Sequence, residues 1–498
     1  SAAEAEIRSG LCRGPLHGVP VAVKDLCETA FAPTTAGMAL YGANETGRDS
    51  TVVARLEQAG AVIVGKLSMT EGAYSGHHPD MPTPVNPWGK GFWAGSSSSG
   101  SGVATAAGMA FGTLGSDTGG SIRFPSNANG ITGLKGTWGR VSRHGVFALA
   151  DSLDHVGPMA RTAADCAAMM SVLAGADPSD PTTLDAPVPD YVAGLGAPIR
   201  GLRIGVDAGF ILDGTAPEMA EMLRGVIAPY EALGAVIVPM VFPYDPATTA
   251  QWTALCGIEV LLAHKPTWPA RKEAYGPHLA GLLELGEGLS GSEVGEALQW
   301  RLVYNGAVAT AMEPVDMMLL PVTGAPMPEL DNTLGAPGNP ENADLGDLLK
   351  FTAPADLTGY PSLTLPGGFD GRGAPLGFQL MGKPLSEALL LRAGETLGAE
   401  IGVPKDRPTM GDRVKLKEGE TMLDIGSGWG TLAKFASLNY GAKVTGVTIA
   451  ENGAAWGNDV LRKAGITEEQ SRILCMDYRD IPKQKFNKIS QLEMGEHV

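Results

Sequence analysis

A serine that follows two glycines is the residue of this chain best suited to covalent catalysis. Ser121 lies in the segment Gly115-Ser-Asp-Thr-Gly-Gly-Ser-Ile-Arg123. Because glycine has no side chain, the backbone N–H groups of such a turn can approach a ligand closely. Consecutive N–H groups can then stabilise an oxyanion beside a serine nucleophile. The segment lacks the Gly-Lys-Ser/Thr ending of a nucleotide P-loop, so phosphate binding is not indicated.

The nucleophile needs a general base, and the sequence offers a lysine for this role. The eight histidines are scattered and form no local Ser/His/Asp pattern. Lys24 follows the apolar segment Val19-Pro-Val-Ala-Val23, which is typical of a buried strand. Burial without a full ion pair would lower the pKa of this lysine from about 10.4 toward neutrality, so that it could accept a proton. A solvated Lys24 with no special role is the alternative interpretation.

A second Ser/Gly-rich segment, Ala94-Gly-Ser-Ser-Ser-Ser-Gly-Ser-Gly102, precedes the first one. By composition alone it resembles a flexible linker. It lies, however, between three aromatic residues and Val103-Ala-Thr-Ala-Ala-Gly-Met-Ala-Phe111, whose small residues predict a closely packed helix. This setting favours a structured segment. Near Ser121, Asp117 and Arg123 bracket the turn, and we expect them to support the loop as an ion pair or hydrogen-bonded brace.

The elements that must position these residues alternate between strands and helices. Residues 19–23, a helix over 50–59 with Ser50 as N-cap, and residues 61–64 form one β/α/β unit. Further strands are predicted at 202–206, 235–239, 317–320, 362–365 and 377–381, with helices at 217–233 and 387–397. This alternation predicts an α/β fold with a central mixed sheet covered by helices on both faces.

Several ordered motifs together resemble the amidase signature family of serine hydrolases. The matching segments are Gly18-Val-Pro-Val-Ala-Val-Lys-Asp25, the two Ser/Gly-rich segments, Gly130-Ile-Thr-Gly-Leu-Lys-Gly-Thr137, Gly139-Arg-Val-Ser142, Phe351-Thr-Ala-Pro-Ala-Asp-Leu-Thr-Gly-Tyr-Pro361 and Pro375-Leu-Gly-Phe-Gln-Leu-Met-Gly382. The resemblance covers roughly residues 10–400. It departs from the family at Gly136, where proline is common. The family also usually has an N-terminal helical segment before Lys24, and we expect this part to be truncated here.

The resemblance implies a Ser/cis-Ser/Lys triad. Ser121 is then the nucleophile, Ser97 the serine next to a cis peptide bond, and Lys24 the terminal base. Within the four-serine run, Ser96 and Ser98 are the alternatives to Ser97. The implied oxyanion hole consists of the N–H groups of four consecutive residues, Thr118, Gly119, Gly120 and Ser121. Neither a metal nor an organic cofactor is implied for this chemistry.

The charge and the prolines divide the chain near residue 410. The 498 residues include 37 Lys+Arg and 54 Asp+Glu, which gives a net charge of −17. From Gly411 onward we count 12 basic and 12 acidic residues, and only one of the 36 prolines, Pro482. We therefore predict two domains, 1–408 and 412–498. The acidic balance argues against direct nucleic-acid binding. No run approaches the roughly 20 apolar residues of a membrane helix.

The C-terminal segment contains a strand, a Gly-x-Gly-x-Gly turn and a helix in Thr421-Met-Leu-Asp-Ile-Gly-Ser-Gly-Trp-Gly430 and the residues after it. It is similar to S-adenosylmethionine-dependent methyltransferases of the cyclopropane-fatty-acid-synthase and fungal sphingolipid C9-methyltransferase group. The resemblance implies that Gly426, Gly428 and Gly430 face the cofactor and that Asp477 lies at its adenine side. Ser427 and Gly453 depart from the group's Cys and Gln, and only about four strands of a seven-stranded fold are present. We therefore expect a partial Rossmann-like fragment that neither binds S-adenosylmethionine nor transfers methyl groups.

The leading prediction is a metal-independent amidase that hydrolyses carbon–nitrogen bonds through an acyl-enzyme. A carbamate- or ester-cleaving, urethanase-type enzyme uses the same triad and is a close alternative. An amidotransferase A-type subunit that supplies ammonia to a tRNA-dependent partner is another, and an inactive binding protein and a methyltransferase are weaker ones. The five separated cysteines fit a reducing compartment. We expect a cytoplasmic protein with a small-molecule substrate and leave a homodimer open.

Overall fold

A computed structural model of the chain describes residues 2–89, 91–327, 348–401, 418–425, 431–448, 451–476, 486 and 488–491. The chain divides into two compact units, Ser1–Lys405 and Asp406–Val498. None of the helices in the described ranges is both long and apolar enough to span a membrane.

The first unit is built on a ten-stranded mixed sheet. In chain order its strands are β1 (Pro20–Lys24), β2 (Val62–Leu67), β3 (Gly112–Asp117), β4 (Thr132–Lys135), β5 (His155–Ala160), β6 (Arg203–Val206), β7 (Val236–Pro239), β8 (Met317–Pro321), β9 (Ser362–Phe369) and β10 (Pro375–Gly382). Their spatial order is β2-β1-β3-β5-β4-β9-β10-β8-β6-β7. The two ends of the sheet are parallel and its centre is antiparallel, which confirms the predicted α/β class with a mixed sheet.

Eleven described α-helices accompany this sheet. They are α1 (Ala2–Arg8), α2 (Thr51–Gln58), α3 (Ser99–Ala106), α4 (Arg123–Asn129), α5 (Ala163–Leu173), α6 (Pro217–Ala232), α7 (Thr248–His264), α8 (Pro277–Gly288), α9 (Gly291–Met312), α10 (Ala353–Thr358) and α11 (Glu387–Ile401). The longest, α9, begins with a capping box in which Ser290 and Glu293 exchange side-chain-to-backbone hydrogen bonds, which satisfies two free N–H groups of its first turn. The predicted helices at 50–59, 217–233 and 387–397 correspond to α2, α6 and α11.

Two neighbouring parallel strands determine where the chemistry lies. In β1 and β3, Val21 pairs with Gly112 and Ala22 with Thr113. Parallel strands end at the same edge of a sheet, so this register brings Lys24 at the end of β1 next to the last residues of β3. Strand β3 is not among the predicted strands, because its sequence Gly-Thr-Leu-Gly-Ser-Asp lacks a run of β-branched or aromatic residues.

The helix after the four-serine run differs from the prediction. The small residues predict a helix at 103–111, but α3 spans Ser99–Ala106 and therefore begins inside the Ser/Gly-rich segment. Glycine at position 100 allows close packing, because a Cβ there would lie 2.4 Å from the carbonyl oxygen of Ser68. Low helix propensity is thus overridden by tertiary packing.

The second unit contains a four-stranded parallel sheet in the order β13-β12-β11-β14. Its elements are β11 (Thr421–Ile425), α12 (Thr431–Tyr440), β12 (Lys443–Thr448), α13 (Glu451–Lys463), β13 (Ser471–Cys475) and β14 (Lys488–Gln491). Nine buried residues, among them Met422, Val444 and Ile473, form a separate small core. The predicted strand–turn–helix–strand order is that of a Rossmann-like fragment.

Candidate active site

Lys24 is a buried amine that contacts two hydroxyl groups. Its side chain is 0% exposed, and its Nζ lies 2.6 Å from Ser97 Oγ and 2.8 Å from Ser116 Oγ. Burial lowers the pKa of Lys24 from 10.5 to about 7, because the charged form loses its hydration and the attraction of Asp117 and Asp154 offsets this loss only in part. With this pKa, Lys24 is uncharged in a large fraction of the molecules at neutral pH.

The four-serine run presents one hydroxyl to this amine. The peptide bond between Ser96 and Ser97 is cis, and the Ser97 side chain, which is 0% exposed, meets Lys24. The next hydroxyl has a different partner, because Ser98 Oγ donates to the carbonyl oxygen of Ser116 and accepts the N–H of the same residue, each at 3.2 Å. Of the run's side chains, Ser97 thus stands nearest the role that the resemblance implies.

Ser121 is the least buried of the three candidate residues. It is partly exposed, whereas Lys24 and Ser97 are fully buried. Its carbonyl oxygen accepts the N–H of Ser98 at 3.3 Å, so the turn that holds the candidate nucleophile and the serine run are adjacent. The preceding Gly120 has φ +137°, and a Cβ there would lie 2.4 Å from the Phe124 ring. Only glycine fits both the conformation and the space.

Asp117 stabilises the turn by accepting hydrogen bonds from its backbone. Its Oδ1 accepts the N–H of Gly120 at 2.7 Å and its Oδ2 accepts the N–H of Ile122 at 3.0 Å. The structure therefore differs from the predicted four-donor oxyanion hole at Gly120, because the negative carboxylate already takes that N–H. The backbone N–H groups of Thr118, Gly119 and Ser121 are the remaining members of the predicted set.

Asp117 also binds Arg123 in a buried pair. The guanidinium donates from Nε at 3.0 Å and from Nη2 at 2.9 Å to the two carboxylate oxygens, and both side chains are 0% exposed. Arg123 further donates to Asp356 at 2.6 Å and to the carbonyl oxygen of Thr352 at 2.8 Å. The two residues thus act as a brace between the nucleophile turn and α10.

The buried charges around Arg123 shift the pKa values of the neighbouring carboxyl groups in opposite directions. Burial alone would raise the pKa of Asp117, but Arg123 and Lys135 hold it well below its usual range. Burial and the neighbouring Asp117 raise the pKa of Asp356 well above its usual value, since two carboxylates share one guanidinium. Burial lowers the pKa of Lys135 to about 8.

Comparison with known proteins assigns the larger part of the chain. The amidase family model matches residues 1–391. The chain belongs to the amidase signature family. The amidase candidate AmiD of Mycobacterium tuberculosis is 45% identical to it over 411 residues, covering 82% of this chain and 85% of AmiD. The chain is accordingly a hydrolase of carbon–nitrogen bonds, and the predicted family and enzyme class are confirmed.

Two further proteins similar to this amidase have different names. The A-type subunit of glutamyl-tRNA(Gln) amidotransferase from Geobacter metallireducens is 36% identical over 405 residues, covering 76% of this chain and 82% of that protein. The structure of the peptide amidase from Stenotrophomonas maltophilia superposes with a TM-score of 0.68 and 29% identity, covering 80% of this chain and 86% of that chain. For the second unit, the mycolic acid cyclopropane synthetase family model matches residues 404–498, which confirms the predicted resemblance.

The amidase structure adds four residues that the sequence did not single out. Ser116 contacts the candidate base, and its place inside the motif 115–123 was a usable signal. His155, Trp252 and Thr352 donate hydrogen bonds to the carbonyl oxygens of Asp117, Thr118 and Gly119. Trp252 lies in α7, a stretch without any recognised motif, so no sequence signal pointed to it.

The predicted cofactor residues of the second unit, Gly426, Gly428, Gly430 and Asp477, lie outside the described residues. Within the described ranges of the whole amidase chain, no group of three or more His, Cys, Asp or Glu side chains could hold a metal ion.

Proposed function

We propose that the chain hydrolyses amide bonds of small molecules through Ser121, Ser97 and Lys24, with an acyl-enzyme intermediate. The observation that carries the proposal is the 2.6 Å contact between Lys24 Nζ and Ser97 Oγ in a fully buried setting. A neutral amine has one lone pair and two N–H groups. It can therefore accept the Ser97 hydroxyl proton while it still donates to Ser116 Oγ, 2.8 Å away.

In the first half-reaction, Ser121 Oγ attacks the substrate carbonyl carbon. The proton of Ser121 passes to Ser97 Oγ, and the proton of Ser97 passes to Lys24 Nζ, which becomes an ammonium group. The carbonyl oxygen becomes an oxyanion. When the tetrahedral intermediate collapses, the carbon–nitrogen bond breaks, and the ammonium returns its proton through Ser97 to the leaving amine.

In the second half-reaction, water takes the place of the amine. The relay deprotonates the water as its oxygen attacks the acyl carbon of the ester on Ser121. Collapse of the second intermediate releases the carboxylic acid and returns a proton to Ser121 Oγ. Every proton moves between side chains of this chain, the leaving amine and water, so the proposed cycle uses neither a metal nor an organic cofactor.

The oxyanion is stabilised by the backbone N–H groups of Thr118, Gly119 and Ser121. Gly120, the fourth member of the predicted set, gives its N–H to Asp117 Oδ1. It contributes by fixing the turn. Preorganised donors of this kind act strongly in a site that excludes water, because they need no reorientation during the reaction.

A second candidate function is supply of ammonia to a partner protein. It is favoured by the 36% identity to the A-type subunit of glutamyl-tRNA(Gln) amidotransferase. The 45% identity to AmiD favours the independent amidase. In the second candidate the same Ser121 chemistry would act on an amide donor, and turnover would depend on the partner.

We further propose that residues 1–408 form the catalytic domain and that residues 412–498 form a separate domain with no part in amide hydrolysis. The division of the structure into Ser1–Lys405 and Asp406–Val498 supports this arrangement. Assembly as a homodimer stays a prediction, which light scattering on the purified chain tests.

The proposal is tested with the purified chain on a panel of primary amides, anilides, esters and carbamates. Amide turnover without a partner supports the amidase. Turnover of carbamates or esters alone supports the urethanase-type alternative, and turnover only after addition of a partner supports the second candidate. Ser97→Ala and Ser98→Ala form a matched pair, because both remove one buried hydroxyl from the same run. We expect the first to abolish amide turnover and the second to reduce it far less.

A further inference from the structure

The carbonyl oxygens of four consecutive residues around the nucleophile turn each accept a hydrogen bond. The donors are His155 Nδ1 to Asp117 at 3.2 Å, Trp252 Nε1 to Thr118 at 2.8 Å, Thr352 Oγ1 to Gly119 at 2.6 Å, and the Phe124 N–H to Gly120 at 2.6 Å. Three of these donors are side chains from distant parts of the chain. They come from β5, from α7 and from the residue that precedes α10.

A carbonyl held in this way also fixes an N–H group. The peptide unit is planar and trans, so its C=O and N–H bonds point in opposite directions. A donor on the Thr118 carbonyl therefore orients the N–H of Gly119, and the donor on the Gly120 carbonyl orients the N–H of Ser121. The hydrogen bonds to these carbonyls thus fix the direction of the N–H groups that are proposed to stabilise the oxyanion.

The histidine in this set has the protonation state that its role requires. Burial lowers the pKa of His155 well below its usual value, so the ring is neutral. Its Nε2 lies 3.1 Å from Lys135 Nζ, an ammonium donor, and therefore accepts. The remaining proton is then on Nδ1, which donates to the Asp117 carbonyl.

The peptide unit between Thr118 and Gly119 depends most on a single donor. The next unit, between Gly119 and Gly120, is held at both ends, by Thr352 at its carbonyl and by Asp117 at its N–H. For the Thr118–Gly119 unit the structure gives the Trp252 indole at the carbonyl. The ring also packs on the turn, because a Cβ on Gly119 would lie 2.7 Å from Trp252 Cζ2.

We propose that Trp252 is a positioning residue of the amidase, which orients the Gly119 N–H toward the oxyanion by donating to the Thr118 carbonyl. The inference rests on the proposed function, since it assumes that Ser121 attacks beside this turn. Trp252 is 2% exposed, so its indole N–H is shielded from competing water. Without it, the Thr118 carbonyl loses its donor, and the peptide unit beside two glycines gains freedom to rotate.

The test is Trp252→Phe in the full-length chain, which keeps an aromatic ring and removes the N–H. Loss of an oxyanion-hole donor lowers kcat by roughly 100- to 1000-fold, and loss of a residue that only orients the donor should have a smaller effect. We expect kcat on the best amide of the panel to fall roughly 10-fold, with KM within about twofold. The rate of covalent labelling by an alkyl fluorophosphonate should fall in parallel, since phosphonylation of Ser121 also develops charge on oxygen.

Trp88→Phe is the matched control. The Trp88 indole also donates to a backbone carbonyl, that of Asn129, at 2.8 Å, but this carbonyl lies at the far end of α4. We expect a similar change in melting temperature and an unchanged kcat. Equal kcat losses in Trp252→Phe and Trp88→Phe, or an unchanged kcat and labelling rate in Trp252→Phe, would overturn the inference.

A second variant decides the question if Trp252→Phe does not fold. Replacement of Trp252 by 3-benzothienylalanine keeps the bicyclic ring and puts sulfur in place of the indole N–H, so the Thr118 carbonyl loses its donor with little change in packing. We expect kcat and the labelling rate to fall roughly 10-fold in this variant too. Wild-type values of both would contradict the inference. Ser121→Ala distinguishes failure of the inference from failure of the proposed function. Full activity of Ser121→Ala would contradict the proposed function itself. An inactive Ser121→Ala together with a wild-type kcat in Trp252→Phe would contradict only the inference about Trp252.

Discussion

Each of the two units has a glycine-rich sequence after a strand, but the residues that the two units bury differ. In the first unit, the turn after β3 is surrounded by buried charges, among them Lys24, Asp117 and Arg123, each 0% exposed. In the described part of the second unit, Asp424 is the only charged residue that is buried. The other buried residues described there are apolar side chains, most of them in the small core, the glycines at 446 and 457, and the serines at 437 and 471.

This difference shows why a glycine-rich turn alone says little about activity. Burying a charge is costly unless other groups compensate for the lost hydration. In the first unit this compensation is concentrated around one turn, where the Asp117 carboxylate, the carbonyls of residues 117–120 and the hydroxyls of Ser97 and Ser116 have specific partners. Such a concentration of perturbed groups is typical of a catalytic site. The predictions below test whether catalysis depends on this concentration and on the first unit alone.

Replacing the nucleophile should have the largest effect. We expect Ser121→Ala to abolish amide turnover and fluorophosphonate labelling, because no covalent intermediate can form. The melting temperature should change little, since the Ser121 side chain is partly exposed. Steady-state turnover, mass spectrometry of the labelled protein and thermal unfolding are the measurements. A variant that still turns over the substrate at the wild-type rate would show that another residue is the nucleophile.

Replacing the base should be nearly as severe. Lys24→Met retains the length of the side chain and its burial but cannot accept a proton. Since general-base catalysis contributes about 100- to 10,000-fold, we expect kcat to fall within that range. Thermal stability should be unchanged or higher, because methionine needs no hydration. A wild-type kcat in Lys24→Met would eliminate the lysine as base.

The low pKa of Lys24 also predicts two pH dependences. Because the neutral amine is the proposed base, kcat/KM should rise as the pH increases through about 7 and level off above it. The folded-state pKa of about 7 lies below the unfolded value near 10.5, so unfolding takes up a proton between these pH values. Stability should therefore increase with pH across that window. Lys24→Met should lose this part of the slope, and urea unfolding at several pH values measures it.

The residues of the proposed triad are easier to single out in the sequence than the residues that contact them. Ser121 and Lys24 occur in short ordered segments whose residue types match one chemistry. Lys24 lies near the residues after β3 because of the register between β1 and β3. This register is hard to predict, since β3 has a sequence of low strand propensity. Trp252 and Thr352 act through single hydrogen bonds formed across more than a hundred residues. Such tertiary contacts leave no periodic pattern in a single sequence.

The buried brace should affect stability more than the chemical step. Asp117→Asn leaves Arg123 beside an amide, which accepts fewer hydrogen bonds and carries no charge. Removing one partner of a buried ion pair costs about 3–5 kcal/mol when the other charge is left unpaired. Arg123 still donates to Asp356, so we expect a cost toward the lower end of that range and a clear fall in the urea midpoint. Activity of the folded fraction should decrease, because Gly120 loses a charged acceptor. Glu284→Gln breaks the exposed pair with Lys272 and serves as control, with an expected cost of about 0–1 kcal/mol.

Removing the second unit should have the smallest effect on amide hydrolysis. Truncation after residue 408 retains every residue of the site described above, and the small core of the second unit contains only its own residues. We expect kcat and KM on the best amide to stay within about twofold, since no interaction made only in the transition state is removed. Calorimetric titration of the full chain with S-adenosylmethionine should give no binding heat. A large loss of kcat on truncation would show that the catalytic unit depends on the second unit, and the functional contrast drawn between the two units would then be wrong.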